Sequence, residues 1–240
     1  MVCGLLVVGC QWLVFKNYYP ATGDWPLTND SILSYAYSLN TLPGKSMLLR
    51  LIIFLVLSGL SLNSNADFQA GGDAYKRGDY ETAAKEFLPL AEKGDHRAMY
   101  ALGSMYSVGH GVEQNFEEAF KWFQRAAKYG RPDAEYKLGI MYAHGFGVDQ
   151  DYRRAINWFG KSAKKGYPLA QNKIGQMYLE GKGVTQSNVK AYAWSTIAYN
   201  QGVEEAKQVL SSAKGNMSAE ELKAAEDMAL ELKAEYVKTK

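Results

Sequence analysis

The segment Tyr100–Tyr106, YALGSMY, returns 36 residues later as YKLGIMY (Tyr136–Tyr142) and again as NKIGQMY (Asn172–Tyr178). With the loops that follow, the copies read YALGSMYSVGHGV, YKLGIMYAHGFGV and NKIGQMYLEGKGV. Gly103, Gly139 and Gly175 keep the same step, as do Ala119, Ala155 and Ala191, and Trp122, Trp158 and Trp194. A fixed period of this size means one supersecondary unit stacked on copies of itself, since a single unit cannot hide its own apolar face. Such a stack is more often a surface that holds something than a place for chemistry.

The spacing predicts two helices per unit. In the first, Ala98, Leu102, Met105 and Tyr106 make an apolar stripe at helical intervals. A glycine in mid-helix costs about 1 kcal/mol against alanine, so its return at 103, 139 and 175 predicts a neighbouring helix at close range. Asp79, Asn115, Asp151 and Ser187 precede the second helices, and each can accept a bond from a free N–H of the first turn. Ala119, Trp122, Phe123, Ala126 and Ala127 form the stripe of that helix. The repeated tryptophans are expected in the core, which would put Trp158→Ala at about 3–5 kcal/mol. Gly130 and Gly166 are expected as left-handed helix ends, with Pro132 and Pro168 opening the next helix. Gly109 and Gly111 predict a tight loop with positive φ.

Composition narrows the function. The chain has 240 residues, 47% hydrophobic, with net charge +2 and no basic cluster, which argues against a nucleic-acid partner. Its only cysteines are Cys3 and Cys10, so everything after them lacks disulfides and thiolate ligands. His96, His110 and His144 fall at unrelated places in the repeat frame, and no metal or cofactor is expected.

The beginning reads as an address. Met47–Arg50 is a basic start, Leu51–Leu62 an apolar run, and Ser64-Asn65-Ala66 supplies small residues for cleavage. This is the pattern of a signal peptide over 47–66, cut after Ala66, with a retained membrane anchor as its rival. Residues 1–46 show neither repeat nor helix period and are expected to come from an upstream start, outside the native product. The mature chain is expected to be periplasmic or secreted, and monomeric.

Both ends of the stack differ from its middle. Residues 67–94 are expected to form a shorter first unit, with the tight loop Tyr75-Lys76-Arg77-Gly78-Asp79 between its helices. The middle units span 95–130, 131–166 and 167–202. Residues 203–240 are expected to form a helix pair that covers the last repeat, with Ser218-Ala219-Glu220-Glu221 as a capping box and Leu222, Ala225, Ala229, Leu232 and Tyr236 as its apolar stripe.

The unit Ala-x-x-x-Leu-Gly-x-Met-Tyr-x-x-Gly-x-Gly-Val, followed by Ala-x-x-Trp-Phe, resembles the Sel1-like repeat, a cousin of the tetratricopeptide repeat. Ala98–Val112 and Ala134–Val148 match throughout; the third copy has Ile174 for leucine and Ser195 for phenylalanine. The resemblance implies an all-α, right-handed α-α superhelix whose first helices line a concave face and bind proteins or peptides. Secreted relatives linked to β-lactams carry a disulfide in each repeat, which this chain lacks after Cys10.

Positions left free by the apolar stripe are the candidate binding residues: Tyr100, Ser104 and Ser107; then Tyr136, Ile140, Ala143 and His144; then Asn172, Gln176, Leu179 and Glu180. By the resemblance Arg97, Asp133 and Leu169 join them. Tyr100 and Tyr136 are expected as aromatic anchors. The expected function is an exported, non-enzymatic scaffold for a protein or peptide partner. The rival is an envelope glycan binder, or a hydrolase whose best triad would be Ser107, His144 and Asp133.

Overall fold

The computed structural model describes residues 67–236. The expectations for 1–46 and 47–66 lie outside the described residues. Within them the chain is helical throughout and contains no strand. Helix α1 covers residues 67–76. Then follow α2 (Tyr80–Glu92), α3 (His96–Val108), α4 (Phe116–Lys128), α5 (Pro132–His144), α6 (Tyr152–Lys164), α7 (Pro168–Glu180), α8 (Asn188–Tyr199), α9 (Ala206–Lys214) and α10 (Ala219–Tyr236). From α2 to α9 each helix packs on its neighbours in sequence, as in a solenoid.

Local chemistry sets the boundaries. Asp79, Asn115, Asp151 and Ser187 each accept a hydrogen bond from the N–H three residues on. Pro132 and Pro168 stand in the first turn of α5 and α7. Gly130 and Gly166 adopt left-handed φ of 76° and 81°.

The repeated glycines do two different jobs. In mid-helix, a β-carbon on Gly103 would fall 2.8 Å from the Phe123 ring, and one on Gly139 would fall 2.5 Å from that of Phe159. The ring therefore lies flat on helix backbone, which brings α3 onto α4 and α5 onto α6. In the third repeat Ser195 replaces the ring and meets Gly175 itself, with the Ala191 carbonyl 3.0 Å from where a β-carbon would stand. The second job is in the loops. Gly111, Gly147 and Gly183 have φ of 70°, 66° and 72° and press against the first turn of the helix one repeat earlier, at Tyr80, Phe116 and Tyr152. His110 and Phe146 then stack on Tyr80 (4.1 Å between centroids) and Phe116 (5.0 Å), and Lys182 lies 5.7 Å from the Tyr152 centroid.

The tryptophans correct a sequence expectation. Phe123 and Phe159, one residue further along, are the fully buried rings. Trp122 is buried at the edge of the core, whereas Trp158 and Trp194 are only half-buried. Each of the first two carries a cation on its face, Arg125 at 4.3 Å over Trp122 and Lys161 at 4.0 Å over Trp158. The residue aimed at the glycine of the facing helix goes in; its neighbour turns 100° away around the helix and stays at the rim.

At the end of the stack the terminal helices cover the last repeat from two directions. The 203–240 pair, whose last four residues lie outside the described ones, divides across two sides of α8. Helix α9 sets Val209 and Ala213 against Ala191, with Tyr178, Leu179 and Tyr192 around them. Helix α10 sets Ala229, Met228 and Leu232 against Ala193, Ile197 and Trp194 on another face, and Tyr236 stacks on Trp194 at 5.8 Å. A helix covered on several sides needs apolar residues all round, and α8 buries Ala191, Ala193, Ser195, Ile197 and Ala198. The expected Ser218 box forms: Glu221 N–H donates to Ser218 Oγ at 3.2 Å and Ser218 N–H donates to Glu221 at 2.9 Å. Deleting 216–240 should therefore expose Ala193, Trp194 and Ile197 and promote aggregation, read by light scattering on warming. A truncated chain as soluble and as heat-resistant as the parent would contradict this packing.

Candidate functional site

The candidate residues lie on α3, α5 and α7, and the structure sorts them into two groups. Tyr100 and Tyr136 are more than half withdrawn from water. Their rings lean on Phe123 and Phe159 at 5.5 and 5.6 Å. Residues of the next repeat close over them: the Arg131 guanidinium stands 5.0 Å above Tyr100, and Tyr167 lies 5.4 Å from Tyr136. One repeat earlier Arg97 covers Phe68 at 4.5 Å. These aromatics are clasps between repeats and not free anchors. Burial, and then the Asp133 charge, push the Tyr100 hydroxyl above its ordinary range; for Tyr136 the causes are burial and the neighbouring Tyr167.

The third repeat breaks the pattern. Asn172 takes the tyrosine's place and is buried, its Oδ1 without a hydrogen-bond partner. Ser195, in place of the phenylalanine, is buried and likewise unpartnered.

The second group is open to contact. Leu169, His144 and Glu180 are exposed; Ser104, Ser107, Ile140, Ala143, Gln176 and Leu179 are half-exposed. Glu180 pairs with Lys182 at 2.7 Å, and Gln176 accepts a bond from Lys173 at 2.9 Å. Of the apolar candidates Leu169 is exposed, whereas Ile140 leans on the core of its repeat and Leu179 on Val209 and Ala213 of α9.

Between the tyrosine clasps runs a cleft of about 390 Å³, lined by Tyr129, Gly130, Arg131, Pro132, Asp133 and Tyr167. Arg131 Nε donates to Asp133 Oδ1 at 3.0 Å, its second nitrogen meets the other carboxylate oxygen, and Nη1 lies 3.3 Å from His96 Nδ1. The preceding repeat builds the same fork with its ends exchanged: Asp95 accepts from Arg97 at 3.2 and 2.7 Å. Burial drives the Asp95 carboxyl up, but the hydrogen bonds and charge of Arg97 outweigh it and hold it below the usual carboxylate range. Arg131, Tyr129 and Tyr167 line the candidate site and were not among the residues expected from the sequence. They flank Gly130 and Pro168, where the glycine and proline signals mark only helix ends.

His96 makes a pH prediction. Burial first, and then the Arg131 charge, hold its imidazole below the ordinary 6.5. The native state thus binds fewer protons than the unfolded chain below about pH 6.5. The stability tied to neutral His96 is complete above that pH and is lost as pH falls through its lowered native value. Melting temperatures of the parent should drop more than those of His96→Gln between roughly pH 7 and 5. Parallel curves would remove His96 as the cause.

A buried acid braces the same region. Glu135 is 4% exposed and accepts from Lys165 Nζ at 2.6 Å, and that ammonium also donates to the Gly130 carbonyl at 2.9 Å. The next repeat replaces the pair by neutral amides, Gln201 donating to Gln171 at 2.6 Å. Breaking a buried pair from one side costs roughly 3–5 kcal/mol. Lys165 is partly solvated, so Lys165→Met should lose about 2–3 kcal/mol in denaturant melts. The double change Glu135→Gln with Lys165→Gln should lose less, because it copies the neighbouring repeat; an equal or larger loss would contradict the brace.

The three residues weighed as a triad are engaged apart. Ser107 Oγ donates to the Ser104 carbonyl at 2.7 Å, Asp133 is forked by Arg131, and His144 stacks on Phe146 at 5.4 Å. Among the described residues no cluster of three or more histidine, cysteine or acidic side chains gathers for a metal.

Comparison with known proteins gives three findings. The family model for the Sel1 repeat matches residues 96–130, 132–167 and 168–203. Among solved structures, a protective antigen present in uropathogenic Escherichia coli strains and displaying an SLR fold is 26% identical, with a TM-score of 0.67 over 87% of this chain and 46% of its own. A Sel1 repeat protein from Oxalobacter formigenes is 29% identical, with a TM-score of 0.55 over 58% of each chain. The chain thus spans about half the length of these two structures. A search of curated proteins finds no match.

Proposed function

Since this chain carries three Sel1 repeats, units that commonly serve as protein-interaction scaffolds, we propose that it is an exported, non-enzymatic scaffold whose first-helix face holds a protein or peptide partner. One observation carries the reading. Across α3, α5 and α7 the residues that meet the second helices repeat, whereas Ser104, Ile140 and Gln176, or Val108, His144 and Glu180, change from copy to copy and keep access to solvent. Packing does not dictate them, so they are free to read a partner. Leu169 and the accessible part of Ile140 supply the apolar contacts, and the Arg131–Asp133 fork at the start of α5 adds charge on the same run of first helices. Export is supported by the signal pattern at 47–66.

The test uses a substitution that leaves the clasps intact. Leu169→Asp, at an exposed position, should keep the melting temperature and helical spectrum of the parent. The immobilised pair, parent and variant, is then offered envelope extract. A stoichiometric protein captured by the parent and lost by the variant supports the proposal; the same protein on both refutes this face. Retention of purified cell-wall glycan, with no protein partner, would favour the rival reading, in which Tyr129, Tyr167 and the Arg131–Asp133 fork form the sugar platform. Fractionation and N-terminal sequencing of the native product test export.

A further inference from the structure

Gly160 stands out among the glycines of α4 to α7. It lies in the middle of α6, and a β-carbon there would meet nothing within 4 Å. Neither a left-handed φ nor a close neighbour accounts for it, although glycine weakens a helix interior. Around it, α6 carries Arg153, Arg154, Lys161 and Lys164 and no acid, and all four are exposed. Arg154 is paired with Asp151 at 3.3 Å and Lys161 lies on Trp158; Arg153 and Lys164 have no ion-pair partner among the described residues.

The opposite charge stands next to it. Helix α10 has six acidic residues against two lysines, and none of these acids forms an ion pair with another described residue. It docks on α8 through the face bearing Ala193, Trp194 and Ile197. One repeat earlier those positions are Asn157, Trp158 and Lys161 on α6. The ridge of α10 and the basic face of α6 therefore lie side by side on one surface, and the Tyr236 carbonyl is the atom closest to where a Gly166 β-carbon would stand, at 3.0 Å. At the middle of the ridge Leu230 is 66% exposed, the most exposed large apolar side chain among the described residues.

We propose that this surface pairs with a second copy of the chain through a two-fold axis. A basic stripe beside an acidic stripe is self-complementary under such an axis: each α6 faces the partner's acidic helix, and each α10 faces the partner's basic one. Leu230 of each copy fills the gap left open at Gly160 of the other. The contact lies on the second helices, so it leaves the first-helix face available.

Sedimentation of the full chain across a concentration series tests this. At about 50 mM salt a monomer–dimer equilibrium is expected, weakened at least about tenfold at about 500 mM, where exposed charges are screened. Leu230→Glu should give monomer with an unchanged melting temperature. Lys161→Glu with Lys164→Glu, and separately Asp227→Lys with Glu231→Lys, should each be monomeric alone, and mixing the two variants should restore a dimer. A parent that stays monomeric up to about 100 µM at low salt would overturn the proposal. So would a dimer indifferent to Leu230→Glu, or reversed-charge variants that do not associate with each other.

Discussion

Gly147→Ala is expected to cost about 2–5 kcal/mol. Two causes add. The φ of 66° is left-handed, which costs an L-residue roughly 1–2 kcal/mol. The new β-carbon would also land on the Phe116 carbonyl, 2.7 Å from the Glu117 nitrogen. Backbone at the start of a helix cannot rotate aside as a side-chain tip can, so the two repeats must part, at roughly 1–3 kcal/mol. Gly145→Ala separates the terms. Its φ is 75°, but a β-carbon there would meet nothing nearer than 3.5 Å, so only the backbone term applies and the loss should stay near 1–2 kcal/mol. Denaturant midpoints of the two variants, compared with the parent, check this. Equal midpoints would mean that the loop does not press on the preceding repeat.

Phe159→Ala is expected to cost about 3–5 kcal/mol, and Trp158→Ala clearly less. The phenylalanine is 1% exposed, lies across Gly139 and touches Tyr136, so removing it opens a cavity between α5 and α6 that helix backbone cannot fill. Trp158 lies half in water under Lys161, and its loss takes away rim contact and a cation–π pair. Tyr136 would lose its support with Phe159→Ala, so its ring should gain mobility beside Tyr167. Thermal melts of both variants decide the order; a tryptophan variant as damaged as the phenylalanine one would reinstate Trp158 as core.

Much of this architecture was legible in the chain. The number of helices per unit, the caps at Asn115, Asp151 and Ser187, the glycine ends and the close approach at Gly103, Gly139 and Gly175 all follow from signals that act within a few residues. The candidate face was only partly legible. Ile140, Leu169 and Gln176 are accessible where a free position is expected. Tyr100 and Tyr136 are not, because what covers them comes from about 30 residues further on, at Arg131 and Tyr167. Asn172 has the frame position of a surface residue and is buried.

The sequence by itself determined that this chain stacks helix pairs, and where each helix begins and stops, because caps, turns and apolar stripes are local and recur at a constant interval. Only the tertiary structure decided that phenylalanine and not tryptophan enters the core, that tyrosines serve as clasps closed by the following repeat, and that α10 lies along α8. The reason is geometric: such contacts depend on how one helix crosses another, and a 100° turn around an axis separates adjacent residues that composition treats alike.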